Sequence, residues 1–545
     1  MPESRSPSIF WTSNVCSSSA GLRPTVRTTL AEWKSARSLL AITIRSYLSA
    51  CATLHTACAS AVSQPTERPI VEEALVTIDS ELESLNLEER MLRDGRASLA
   101  ATRNNSTTLV RTNILPSEIL ARIFKFSKTY CILNKRGSKS DAFARVCVHW
   151  RRTAIAMADL WTHIDIGKTI SDSQIKLLLD WSKGSPIHVH ALEPEHTSSY
   201  DDDETYKHVA QKMMKPLQPH LHRLHILSID GTNNGQFISA ILNLWSSYGY
   251  VGTPVSLLAE GPERAAGALT IIRNQGETYE NLERMLLAVS NLHLDSARFD
   301  WTSSAYRGLV ELRLSLFPIA HISPQQLSSI LSSCPTLHTL KLEYLAVSDA
   351  KPWMHPAPIM MECLEVLTLT SMGASSVGWV LSLMALPEFR TELGISLNPG
   401  SEMDERLVGF LARSKLATLH CYCFPGFSRH TSWKYLLKHL PRSHTLVLNN
   451  FPLTPKTWLG APINLSEFLP LFHSIVFVRC QLELEVLKRF VVLLKPQELR
   501  LKRCSSSNAS QGMEDIRTSL LRIYPELRCS ISGTDSTKKL GCRTS

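Results

Sequence analysis

The chain has 545 residues, too many for one hydrophobic core, so two or more structural units are expected. Hydrophobic residues make up 44% and charged residues 20%, which excludes both a wholly disordered and a membrane-embedded chain. The net charge of +9 permits contact with nucleic acid without demanding it. No run of about 18 apolar residues occurs, and the most apolar early stretch, Leu39 to Leu54, is broken by Arg45, so no membrane span or membrane partner is expected. The start lacks the basic-then-apolar plan of a secretory leader, and Cys542-Arg543-Thr544-Ser545 lacks the aliphatic residues of a prenylation box. A cytoplasmic or nuclear location is expected. Thirteen cysteines are scattered without a Cys-x-x-Cys pair, and Cys421 and Cys423 have no second pair at zinc-site spacing. They read as reduced core thiols.

Residues 1–27 are rich in Ser, Thr and Pro and are expected to be disordered. Over 28–103 the pattern predicts an antiparallel helical hairpin or coiled coil. Thr29-Leu30-Ala31-Glu32 reads as a capping box, and Leu30, Trp33, Leu40, Ile44, Tyr47, Cys51, Leu54 and Cys58 follow a heptad-like stripe. After a break at Ser63-Gln64-Pro65-Thr66, Val71, Leu75, Ile78, Leu82, Leu85, Leu92 and Leu99 repeat it. The pair reads as a two-helix stalk, with stripes long enough to supply a homodimer seam as well. Asn104-Asn105-Ser106-Thr107-Thr108 ends the second helix.

Residues 111–166 carry the densest signal. Leu115-Pro116-Ser117-Glu118-Ile119-Leu120 runs into Ile123-Phe124, followed by Val146-Cys147-Val148-His149-Trp150 and Leu160-Trp161. Pro116 fits a first helical turn, where its missing N–H would be unpaired anyway. Ile119, Leu120, Ile123 and Phe124 share a helical face, and Val146, Cys147, Trp150 and Ala154 repeat that spacing. Helices this greasy expose more apolar surface than so small a unit can bury, so part of it should dock elsewhere. Between Phe124 and Val146 lies a polar basic loop, Lys135-Arg136-Gly137-Ser138-Lys139-Ser140. Residues 111–168 hold eleven Lys/Arg against four acids, so much of the net charge sits here.

In order and residue type these fragments resemble an F-box, with the loop as a departure from the shorter connections common in that family. The resemblance implies docking to a Skp-type adaptor, and through it to a cullin–RING ubiquitin ligase. The implied adaptor-binding residues are Leu115, Pro116, Ile119, Leu120, Ile123, Phe124, Val146, Cys147, Trp150, Leu160 and Trp161.

Over 167–530 the chain repeats a short Leu-x-Leu element: Leu312/Leu314, Leu340/Leu342, Leu367/Leu369, Leu393/Ile395, Leu419/Cys421, Leu446/Leu448, Val476/Val478 and Leu499/Leu501. The intervals, from 23 to 30 residues, lie in or next to the leucine-rich-repeat range. Leu224/Ile226, Val255/Leu257 and Leu292/Leu294 are spaced less evenly and read as degenerate repeats. Helix-like pieces fall between them, such as Ser323-Pro324-Gln325-Gln326-Leu327, with Ser323 as cap. A strand–helix unit cannot bury its own apolar face, so stacking creates the core. Of Phe317, Leu345, Met372, Asn398, Phe424, Phe451, Gln481 and Cys504, at the position where such repeats carry a ladder asparagine, only one is Asn. The turns must therefore pair their backbone differently. A tail, 531–545, follows.

The fold class is thus α/β: a helical hairpin and a small all-α F-box-like unit, then an irregular leucine-rich-repeat solenoid with a parallel sheet. No phosphate loop, nucleophile elbow, His-Glu-x-x-His helix or zinc-finger spacing appears, so no catalytic residue, cofactor or metal is assigned. His188 and His190 alternate onto one strand face, and His220, His222 and His225 lie near Asp201-Asp202-Asp203-Glu204. Without a third ligand fixed by spacing, they read as solvated edges.

The order of hairpin, F-box and repeats resembles a large fungal group of F-box proteins. It implies a non-catalytic substrate receptor that presents an unknown protein target for proteasomal degradation. The residues between paired leucines should face outward, with Arg313, Lys341, His420, Phe477 and Arg500 as candidate target contacts. Two alternatives are a scaffold independent of any ligase and a basic nucleic-acid-binding solenoid. Glu311, Glu343, Glu392 and Glu498 interrupt the basic stripe that the latter needs.

Overall fold

The computed structural model describes residues 26–61, 68–104, 106, 114–133, 140–167, 171–194, 203–231, 235–252, 255–262, 269–271, 277–348, 357–386, 391–396, 404–422, 442–453, 472–508 and 512–532. The chain divides into two compact units, 1–109 and 110–545. Of the expected disordered start, 1–27, residues 26 and 27 already belong to a helix and the rest lie outside the described residues, as do the break at 63–66, the basic loop 135–139 and most of the tail.

The first unit holds α1 (Val26–Ala61) and α2 (Arg68–Asn104), matching the expected pair of helices. Exposed hydroxyls bond back to the preceding turn, as Thr43 Oγ1 does to the Leu39 carbonyl at 3.0 Å, and Arg93 pairs with Glu89 one turn earlier at 2.6 Å. The stripes cover each other little. Cys58, Ala74, Ile78 and Leu85 are half-buried, whereas Leu30, Trp33, Leu40, Ile44, Leu75, Leu82 and Leu92 stay exposed.

The second unit opens with a helical cluster: α3 (Ser117–Leu133), α4 (Ser140–Val146), α5 (Val148–Ala156) and a 3-10 turn over Ala158–Trp161. A fourteen-stranded, wholly parallel sheet follows, its strands adjacent in chain order from His163–Ile166 to Arg528–Ser532. The sheet therefore starts inside the expected F-box boundary and ends inside the expected tail. Parallel neighbours need a crossover, and helices such as α6 (Asp172–Trp181) and the segments Gly235–Tyr248, Pro324–Ser332 and Leu484–Leu494 supply it. Ser323 and Gln326 close the predicted capping box before the Pro324 helix.

Two buried rows run across the sheet beneath these helices. One is Leu257, Leu292, Leu312, Leu340, Leu367, Leu393, Leu419, Leu446, Ile475 and Leu499 in direct register. The second, two residues on, includes Leu294, Leu314, Leu342, Leu369, Ile395, Cys421, Leu448, Phe477 and Leu501. The repeats thus form a leucine-rich-repeat type solenoid, each strand completing its neighbour's core.

Three repeat positions need correction. Leu446 and Leu448 register with Ile475 and Phe477, so the inward pair there is not Val476/Val478. Leu227 and Ile229, rather than Leu224/Ile226, stand opposite Val189 and Ala191, and the next pair is Leu257/Ala259 rather than Val255/Leu257. Val255 is buried on the same face as Leu257 and Ala259, so there the pair is displaced by two residues, whereas Val476 and Ile226 lie on the other side of the pleat. Because side chains alternate, a slip of one residue exchanges the faces.

The missing asparagine ladder has a backbone substitute. Ser296, Tyr344, Ser371, Asn450, Arg479 and Arg503, each two residues after the second ladder position, adopt positive φ. Where the turns stack, the left-handed residue donates its N–H to the next repeat: Ser296 to the Ser315 carbonyl at 2.7 Å, Asn450 to Val478 at 2.9 Å, Arg479 to Lys502 at 2.9 Å. In two repeats a cysteine occupies the asparagine position. The Cys480 thiol donates to the Leu448 carbonyl at 3.2 Å and the Cys504 thiol to Phe477 at 3.4 Å. The cysteines whose side chains are described form no disulfide.

Candidate functional site

Two surfaces of the second unit stand out: an exposed apolar helix face and an open groove. The first is on α3. Leu120 and Phe124 point into the helical cluster, where Phe143 stacks on Phe124 at 4.5 Å and Trp150 lies at 5.1 Å. The cluster is pinned by specific bonds: Trp161 donates its indole N–H to the Ala154 carbonyl at 2.8 Å, Arg151 donates to Ala144 at 2.7 Å, and His149 Nε2 sits 3.2 Å from the Leu115 carbonyl. Cys147 caps α5 by accepting the Trp150 N–H at 3.4 Å. Trp161 also meets Trp181 of α6 edge-on at 4.7 Å, which braces the cluster against the first helix of the solenoid.

Roughly a quarter turn around α3, Ile119, Ile123 and Phe126 form an uncovered apolar face, 42%, 41% and 77% exposed. Pro116, Val146 and Val148 are exposed as well. Of the expected adaptor-binding residues, Pro116, Ile119, Ile123 and Val146 are on the surface, and Leu115 and Trp150 are half-buried. Leu120, Phe124, Cys147, Leu160 and Trp161 are buried in the cluster itself and hold it together. The sequence reading missed Phe126, which continues the i, i+4, i+7 series from Ile119.

The second surface is the sheet face away from the helices. It carries an open groove of about 790 Å³ spanning the strands from His163–Ile166 to Val366–Thr370. Its central row runs His293, Arg313, Lys341 and Thr368 in register. Arg313 and Lys341 reach the groove, whereas His420 and Arg500 lie on the same row farther along the sheet. Phe477 is a correction: it is fully buried, and Val476 takes the outward place. Gly394 lies beneath the Tyr422 ring, where an added Cβ would sit 3.2 Å from it.

Charge on this face is mixed rather than basic. Arg313 pairs with Glu311 on its own strand, and Arg500 donates twice to Glu498 at 2.8 Å. His420 Nε2 lies 3.9 Å from Glu392. Burial, then the nearby Arg313, lowers the pKa of Lys341. Burial likewise lowers His293 and His420, against the opposing pull of Glu311 and Glu392. One edge of the groove adds the acidic side chains of Asp230, Glu260 and Asp295, in register on successive strands.

At the first end of the face, the register His163↔His188 and Asp165↔His190 sets three imidazoles and a carboxylate in a two-by-two grid. His163 Nε2 and His190 Nδ1 lie 3.0 and 3.1 Å from Asp165 Oδ1, and His163 Nδ1 lies 3.1 Å from His188 Nδ1. Burial raises the Asp165 carboxyl pKa, and the two imidazole hydrogen bonds more than reverse it, holding it well below the usual carboxylate range. The sequence reading saw the alternation of His188 and His190 but not their partners, which arrive from a strand 25 residues away. His220, His222 and His225 do not join them.

No helix among the described residues is long and apolar enough to cross a membrane. No family model matches the chain, and no curated protein matches it. Among solved structures, an internalin (inlF) from Listeria monocytogenes str. 4b F2365 aligns at 14% identity and a TM-score of 0.24, covering 60% of this chain and 93% of that one. At that overlap, the leucine-rich-repeat character rests on the chain's own strand register and buried ladders. A solenoid of this type offers an extended surface for protein–protein interaction.

Proposed function

We propose that the chain is the substrate-recognition subunit of a Skp–cullin–F-box type ubiquitin ligase, with α3 docking a Skp-type adaptor and the open sheet face holding a protein target. The observation that carries this reading is the Ile119–Ile123–Phe126 face, left in water on a cluster whose other side is fully packed. Full burial of such a side chain stabilises by about 1.5–3 kcal/mol, so an apolar partner surface gains from covering three of them. The bracing of Trp161 on Trp181 supports the same reading, because a partner on α3 would stand in a fixed orientation to the solenoid. The chain then contributes effective concentration and orientation and performs no bond chemistry itself. The mixed charge of the groove favours a protein segment over a nucleic-acid backbone, which needs an uninterrupted basic stripe.

The test is co-purification of the full chain with a Skp-type adaptor and cullin. Recovery of both is expected. Failure of the folded chain to retain the adaptor would leave an interaction scaffold that works outside a ligase.

A further inference from the structure

We propose that His163, Asp165 and His190 form a binding site for a divalent transition-metal ion of the zinc class, with His188 as its outer partner. The site follows from strand register. Ile164, Val189 and Ala191 fill the core, so the alternate residues of both strands must share the open face, and the pairing stacks histidine on histidine and aspartate on histidine. The donor atoms of His163, Asp165 and His190 all lie within 4.8 Å of one another. Asp165 Oδ1 stands 3.0 and 3.1 Å from the two imidazole nitrogens. A tetrahedral ion with bonds of about 2.0–2.1 Å separates its ligand atoms by about 3.3 Å, close to both Asp165 separations.

The donor set fits the ion class. Two neutral imidazoles and one carboxylate suit zinc, cobalt, nickel or ferrous iron, whereas calcium and magnesium take oxygen ligands. The side chains are 10%, 21% and 27% exposed for His163, Asp165 and His190, sheltered yet reachable from the groove they line. An ion on His163 Nε2 leaves that ring's proton on Nδ1, within hydrogen-bond reach of His188 Nδ1 at 3.1 Å, and an ion on His190 Nδ1 leaves the proton of that ring on Nε2. His188 thereby fixes the tautomer that frees the ligating nitrogen of His163, the usual task of a second ligand sphere. Three protein ligands leave a position on the groove side for water or for a side chain of a bound protein.

The full chain, stripped with a chelator, is titrated with Co²⁺ and then with Zn²⁺. One equivalent of Co²⁺ is expected, giving visible d–d bands without thiolate charge-transfer absorption and displaced by Zn²⁺. Asp165→Asn and His190→Gln, each checked for fold by circular dichroism, should each weaken binding at least about tenfold, and His188→Ala by about 10- to 100-fold. His338→Gln, at an exposed position away from the grid, should leave it unchanged. The proposal is overturned by folded wild-type chain that takes up no stoichiometric metal. Uptake that survives both Asp165→Asn and His190→Gln, or that shows thiolate charge-transfer bands, overturns it equally.

Discussion

Leu367 shows what a single ladder residue contributes. It is fully buried between Leu340 and Leu393 in direct register, so removing three carbons leaves a cavity that neither neighbour can fill without moving its strand. Leu367→Ala should cost about 2–5 kcal/mol, measured by urea unfolding. His420 sets a pH limit instead. Its folded pKa lies below the ordinary imidazole value of 6.5, because burial and Lys502 outweigh Glu392. The unfolded chain therefore binds the extra proton first. Stability from this group is fully present above about pH 6.5 and lost as pH falls through the lower folded value. Between pH 7 and 5 the urea midpoint should fall, and His420→Gln should flatten that fall. A steeper fall in the variant would contradict the assignment. At this scale the sequence showed which residues were apolar but not always which face they took. Phe477 and Val476 are adjacent and both hydrophobic, so only pairing with Leu448 and Val447 decides between them.

On α3 the element reads two ways from sequence. Ile119-Leu120 and Ile123-Phe124 are adjacent apolar pairs, and a helix turns about 100° between neighbours, so one member of each must leave the core. Contacts with Phe143 and Trp150 select Phe124, and Ile119 and Ile123 remain outside. The repeat strands were legible because their period is set by burial. The turns were not, since a left-handed residue such as Tyr344, Arg479 or Arg503 carries no glycine or asparagine signal. The stripes of α1 and α2 were also legible, and their exposure was not. We expect the full chain to self-associate through them. Sedimentation equilibrium should give twice the 60.9 kDa chain mass, reduced to one by Leu40→Glu with Leu82→Glu. A concentration-independent monomer mass for the wild type would instead assign the hairpin to a stalk.

For the whole molecule, helical cluster and solenoid belong to one compact unit, joined through Trp161 and Trp181. The solenoid follows from register. The proposed ligase role rests on α3, where the residue pattern is joined by an exposed apolar face. The most direct test compares binding of a purified Skp-type adaptor by the wild-type chain and by Ile119→Glu with Ile123→Glu, using isothermal titration calorimetry. Both substitutions lie on the exposed face, so the cluster core of Leu120, Phe124 and Trp161 should keep the variant folded, with an unchanged melting temperature. Truncating interface anchors commonly costs more than about 1 kcal/mol each, and a buried charge costs more, so the variant should bind at least about 30-fold more weakly. Equal affinity of wild type and folded variant, or no adaptor binding by the wild type, would contradict the account.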